Sequence, residues 1–166
     1  MIPKSMSSTL IGDGNRFSDK DHAQEILRAK QDMKSIIGTW RLVKTSARND
    51  AGEPMHPPYG PKPRGLVVFY PDKRMMSVLC DGRSDLPPGE TVREYNSYCG
   101  NYDYDGENLV TRVDASASKD RVGGEQKRFV RFDGEHMVLT QKPRLWQGVM
   151  QHRELHWERI GDAPAT

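Results

Sequence analysis

From Gly38 onward the sequence is a succession of short runs rich in β-branched and aromatic residues, set apart by turn residues, with no helix-period stretch between them. The runs are TWRLVKTSA, RGLVVFYP, RMMSVLC, VREYNSYCGNYDY, ENLVTRVDA, EQKRFVRFD, EHMVLTQ and GVMQHRELHWERI. Their separators include PDKR and the Asp-Gly pairs Asp105-Gly106 and Asp133-Gly134, which is tight-hairpin chemistry. Parallel βαβ units need a helix between successive strands, so strands joined directly by hairpins predict an antiparallel meander. A meander of eight strands removes its exposed edges by closing, and an eight-stranded barrel is about wide enough for one small ligand. The expected fold class is therefore all-β, an antiparallel barrel of eight or more strands.

The segment before Gly38 reads differently. Residues 1–17 carry no apolar period and are expected to form a flexible arm, with no hydrophobic core of signal-peptide length. In SDKDHAQEILRAKQDMKSII, Ser18 or Asp19 can cap a helix over residues 18–37, with Ile26, Leu27, Met33 and Ile37 on an apolar face and Gly38 as its left-handed end. That face needs cover, from the barrel or from a second copy of the chain in a homodimer. One domain over 18–160, with a tail at 161–166, suits a chain of 166 residues. Its 25 basic and 23 acidic residues are interspersed, which predicts no nucleic-acid partner. No apolar run is long enough to span a membrane. Cys80 and Cys99 form no CxxC pair and read as reduced thiols of a cytoplasmic protein, or as a disulfide if the strands that carry them are neighbours in space.

Four short motifs occur in order along the sheet region: Gly38-Thr39-Trp40, Tyr98-Cys99-Gly100-Asn101-Tyr102, Gln126-Lys127-Arg128-Phe129 and the closing LHWERI. Over residues 36–160 the chain resembles the lipocalin-like domain family. The resemblance implies a barrel whose closed end is plugged by Trp40 under a basic residue of the last strand, Arg159. It also implies a small apolar ligand, and some related barrels look like cyclases or isomerases. Fold membership by itself fixes no reaction.

Strand alternation then selects the lumen. In YNSYCGNYDY, the Asn96, Tyr98, Gly100 and Tyr102 face is taken inward, two phenols flanking a glycine notch. In EQKRFVRFD, the Gln126, Arg128, Val130 and Phe132 face carries more apolar members and turns Arg128 inward, where it would pair with an acid or await an anionic ligand. The alternatives are core tyrosines with satisfied hydroxyls and an arginine reaching from the rim to solvent. In HRELH the spacing is His-x-Glu-x-His, which on a strand sets His152 and His156 about 13 Å apart, too far for one metal. An inward Trp157 turns both histidines outward, whereas an inward His156 beside Glu154 would be an acid/base pair.

The candidate catalytic groups are Arg128, Tyr98, Tyr102 and His156. The ligand-contacting set is Trp40, Tyr70, Met75, Ser77, Asn96, Gln126, Val130, Trp146 and Trp157. The Pro-rich loop around KPRG and the DGRSDLPPGET loop, with Met55 and Trp146, are expected at the mouth. No hydrolase elbow, phosphate-cradling loop or metal spacing occurs, so neither cofactor nor metal is expected. Two functions fit: a cofactor-independent cyclase, isomerase or lyase acting on an apolar, carbonyl-bearing metabolite, or a carrier of a small hydrophobic ligand.

Overall fold

The computed structural model describes residues 34–162 and, before them, Gln24 alone. Nine strands follow one another: β1 (Gly38–Arg48), β2 (Pro63–Phe69), β3 (Arg74–Asp81), β4 (Tyr95–Tyr104), β5 (Asn108–Ser116), β6 (Glu125–Asp133), β7 (His136–Thr140), β8 (Arg144–Trp146) and β9 (Val149–Gly161). A single 3₁₀ turn lies at Lys119–Arg121. The sheet order is β1-β2-β3-β4-β5-β6-β7-β9-β8, and β1 also pairs with β9. Eight strands, β1 to β7 and β9, thus close an antiparallel barrel. The eighth strand in sequence pairs only with the start of β9, Arg144 opposite Gln151 and Trp146 opposite Val149. It is three residues long, too short for any alternation to announce it in the sequence.

Alternation builds the core. Along β3, Met75, Ser77, Leu79 and Asp81 are buried while Met76 and Val78 face out. The hairpins close on the expected pairs. Gly106 takes a φ of 110° and Gly134 one of 57°, a region open to glycine at low cost. The Asp105 carboxylate accepts the backbone N–H groups of Glu107 at 3.0 Å and Asn108 at 2.7 Å.

Register stacks the inward residues of three strands into levels. Phe132 pairs with Met137 and Met137 with Trp157, while Val130 pairs with Leu139 and Leu139 with Leu155. Two residues farther along the same strands come Arg128 on β6 and Arg153 on β9. From the closed end outward the barrel therefore passes from an aromatic level through an aliphatic one to an arginine level.

At the closed end, Trp40 is 1% exposed and donates from Nε1 to the Ile36 carbonyl at 2.8 Å. The Arg159 guanidinium lies 4.3 Å from the indole centre and donates to the carbonyls of Ser35 (2.6 Å) and Ile37. Trp40 and Arg159 thus occupy the places the resemblance implies.

Two expectations for the segment before the barrel change. The helix expected over 18–37 ends, within the described residues, in an irregular stretch: Lys34–Ile37 is not helical, and Ile36 is buried where Ile37 was expected. The Ile36 carbonyl serves Trp40 instead of a helix. The rest of that segment, with Ile26, Leu27 and Met33, lies outside the described residues except Gln24, as do residues 1–17. Gly38 is the first residue of β1 and not a helix cap. Its φ is 133°, and a Cβ there would sit 2.5 Å from Arg159 Nη1. Glycine is needed because the guanidinium packs against it.

Candidate ligand-binding site

A cavity occupies the barrel above the plug. Its volume is about 80 Å³, well above the roughly 10–15 Å³ needed for one water. Its apolar wall includes Val67, Phe69, Met75, Leu79, Leu109, Leu139, Leu155 and Trp157. Its polar wall carries Tyr59, Ser77, Asn96, Tyr98, Thr140 and Gln141, together with four arginines: Arg121, Arg128, Arg144 and Arg153. Among the described residues that line it there is no Asp, Glu or His.

Each arginine reaches the lumen from a different element. Arg121 comes from the 3₁₀ turn, lies 6.0 Å from the Tyr98 ring centre and donates to Asn96 Oδ1 at 2.6 Å. Arg128, on β6, donates to the Lys127 carbonyl at 2.7 Å and to Gln126 Oε1 at 3.4 Å. Arg153, on β9, donates to Gln151 Oε1 at 2.6 Å, and burial together with the charge of Arg144 pushes its pKa down. These partners are all neutral oxygens. Glu94, whose charge reaches Arg153 and Tyr59, is taken by the Tyr59 backbone N–H at 2.6 Å. The cavity wall therefore carries an excess of positive charge, half-buried at Arg121, Arg128 and Arg153 and exposed at Arg144.

Of the two loops expected at the mouth, the Pro-rich one reaches the cavity, through side chains other than those expected, and no residue of 81–91 lines it. Pro58 and Tyr59 enter the cavity wall, held by Thr45 Oγ1 on the Pro58 carbonyl at 2.7 Å and by Glu94 on Tyr59. Tyr59 has φ 62°, a conformation costly for a residue with a Cβ, and burial raises the pKa of its phenol. Trp146 stacks on His56 with ring centres 6.5 Å apart instead of lining the cavity, and Met55 is likewise absent from the wall. In the second loop Arg83 binds the buried Asp81 carboxylate through Nε at 2.7 Å, and Arg93 donates to the Asp81 carbonyl at 2.9 Å.

Of the expected site residues, Tyr98, Arg128, Met75, Ser77, Asn96 and Trp157 share this one cavity. Tyr102 points inward but lies against Phe69 at the plugged end, its hydroxyl donating to the Tyr70 carbonyl at 2.9 Å. Neither Tyr102 nor Tyr70 lines the cavity. Gln126 and Val130 are also off the wall, Val130 as core and Gln126 as acceptor for Arg128. Trp40 is below the cavity, as the plug. Gly100 is not a notch for a ligand: it marks a register shift between β4 and β5, where a Cβ would collide with the Arg112 carbonyl.

His156 requires a correction, because Leu155 and Trp157 take the inward positions of β9 and alternation sends it out. There His156 Nε2 meets Glu154 Oε2 at 3.3 Å, and Glu154 is shared with Arg131. Burial tends to raise the Glu154 pKa, but Arg131 and His156 outweigh it and hold the carboxyl below its ordinary value. His152 pairs with Asp50 at 2.7 Å. The histidine row belongs to a polar network on the outer face.

Sequence reasoning missed Tyr59, Arg121, Arg144 and Arg153. Only Arg153 carried a signal, since it shares strand parity with Leu155 and Trp157.

The plugged eight-stranded barrel has a counterpart in sequence: the family model of the lipocalin-like domain matches residues 37–160. The chain belongs to the lipocalin-like domain family. No curated protein matches it. Membership in this family supports small-molecule binding, and the lumen of this lipocalin-like barrel holds the cavity with the four arginines. No helix among the described residues is long and apolar enough to cross a membrane.

Proposed function

We propose that the lumen binds a small organic anion with an apolar body, its charged head among Arg121, Arg128, Arg144 and Arg153 and its hydrocarbon against Leu139, Leu155 and Trp157. The observation that carries this reading is the absence of any acid among the lining residues while four guanidinium groups face the cavity. Arg121, Arg128 and Arg153 are half-buried and donate only to neutral oxygens, and a bound carboxylate, enolate or similar oxyanion would supply a counter-charge inside the cavity.

The test compares octanoate with 1-octanol, which share the hydrocarbon and differ in the head. Octanoate is expected to bind about tenfold or more tighter, the range of a charge-assisted hydrogen bond. Equal affinities would remove the anion from the account and leave an apolar carrier.

A second reading is turnover of a carbonyl-bearing metabolite by a cofactor-independent cyclase, isomerase or lyase. The Tyr98 phenol beside Arg121, on the same wall as Arg128, favours it. Arginine would stabilise a developing enolate oxygen, and with no His or carboxylate on the wall, proton transfer would fall to a phenol. Tyr98→Phe should then abolish conversion of a metabolite the protein still binds. Unchanged conversion would refute the phenol's role.

A further inference from the structure

Trp157 lines the cavity, is 1% exposed, and its indole Nε1–H is buried with no hydrogen-bond partner among the described residues. A buried donor left unpaired costs roughly 1–3 kcal/mol, and native interiors hold few such groups. The contrast with Trp40 is informative, since the plug indole has its carbonyl partner at 2.8 Å. Trp157 belongs to the lowest level of the lumen, paired with Met137, whereas Arg153 stands four residues nearer the mouth on the same strand. At ~3.3 Å per residue that is about 13 Å of backbone. Between them Leu155 and Leu139 present only hydrocarbon.

We infer that the lumen recognises its ligand at two points, an anionic head at the arginine level and a hydrogen-bond acceptor, such as a ketone or ester carbonyl, received by Trp157 Nε1–H at the floor. This rests on the anion reading above and adds the second polar group and its separation from the first. The ligand class is then an oxo-carboxylate of medium length, bearing its carbonyl near the end remote from the acid. A plain fatty acid would leave the indole unpaired.

The probes are hexanoate, octanoate and decanoate and the keto acids 5-oxohexanoate, 7-oxooctanoate and 9-oxodecanoate, titrated into wild-type protein and Trp157→Phe. In the wild type, one of the keto acids is expected to bind about three- to tenfold tighter than the straight-chain acid of the same length, as one neutral hydrogen bond gives. Trp157→Phe should erase that advantage, so that within the variant the keto acid binds no tighter than its parent acid. If no keto acid exceeds its parent acid in the wild type, the second recognition point does not exist, a result that needs no variant to fold. If Trp157→Phe weakens octanoate and the keto acid equally, Trp157 acts through packing alone and the inference is again overturned. Should octanoate itself bind no better than 1-octanol, the anion reading fails, and this inference with it.

Discussion

The two ends of the barrel handle polar groups in opposite ways. At the closed end every donor has an internal acceptor: Trp40 bonds Ile36, Arg159 bonds Ser35 and Ile37, and Tyr102 bonds Tyr70. Above it, Trp157 Nε1–H has no partner among the described residues, and the arginines of the lumen meet only neutral oxygens there. A buried polar group that is satisfied holds a fold together, while one that is not stands ready for a guest. The difference assigns stability to the closed end and recognition to the lumen.

That division can be broken most forcefully at the plug. Trp40→Ala should destabilise the barrel by about 3–5 kcal/mol, the usual result of truncating a large buried aromatic, read as a shift in urea midpoint. A change under about 0.5 kcal/mol, the range of ordinary surface substitutions, would deny Trp40 its role. Arg159→Met comes next, at about 1–3 kcal/mol for lost charged hydrogen bonds and cation–π contact. It should leave octanoate binding intact, and a binding loss equal to that of a lumen variant would blur the two ends. In the lumen binding is the quantity that changes. Arg153→Met relieves a charge that burial and Arg144 both disfavour but removes the donor to the buried Gln151 Oε1, so the two effects offset and stability should change by less than about 1 kcal/mol while octanoate binding weakens. A clear loss of stability would mean that Arg153 supports the fold.

The smallest effect is a pH dependence at the end of β3. The Arg83 guanidinium beside Asp81 holds its carboxyl below the ordinary range. Because the folded value is depressed, the contribution is present above the unfolded pKa of about 3.9 and is lost as pH falls through the lower folded value. The stability gap between wild type and Asp81→Asn should therefore hold at neutral pH and narrow below about pH 4. A gap independent of pH would show that the Asp81 charge does not matter.

The barrel was legible because each strand carries its own alternation and each hairpin its own turn residues, so local chemistry repeats the global answer. Tyr98 and Arg128 were legible for the same reason: Tyr102 two turns of pleat away and Val130 beside Arg128 mark the inward parity. Parity gives the face but not the depth. Tyr102 and Tyr98 share a face, yet one is core and the other cavity wall, because the register of β4 against β3 sets how far each stands from the plug. Tyr59, Arg121 and Arg144 come from a loop, a 3₁₀ turn and a three-residue strand, where no period exists to read. His156 shows the remaining ambiguity. HRELH allowed either face, and the bulk of Trp157 in the core settled it.

Whether the arginine level of the lumen holds an anionic head can be seen in a crystal structure of the protein with octanoate. The carboxylate is expected within hydrogen-bond distance of Arg128 or Arg153, with the alkyl chain running down past Leu155 toward Trp157. A carboxylate turned to solvent, or octanoate seated on the outer face of the sheet, would contradict that placement.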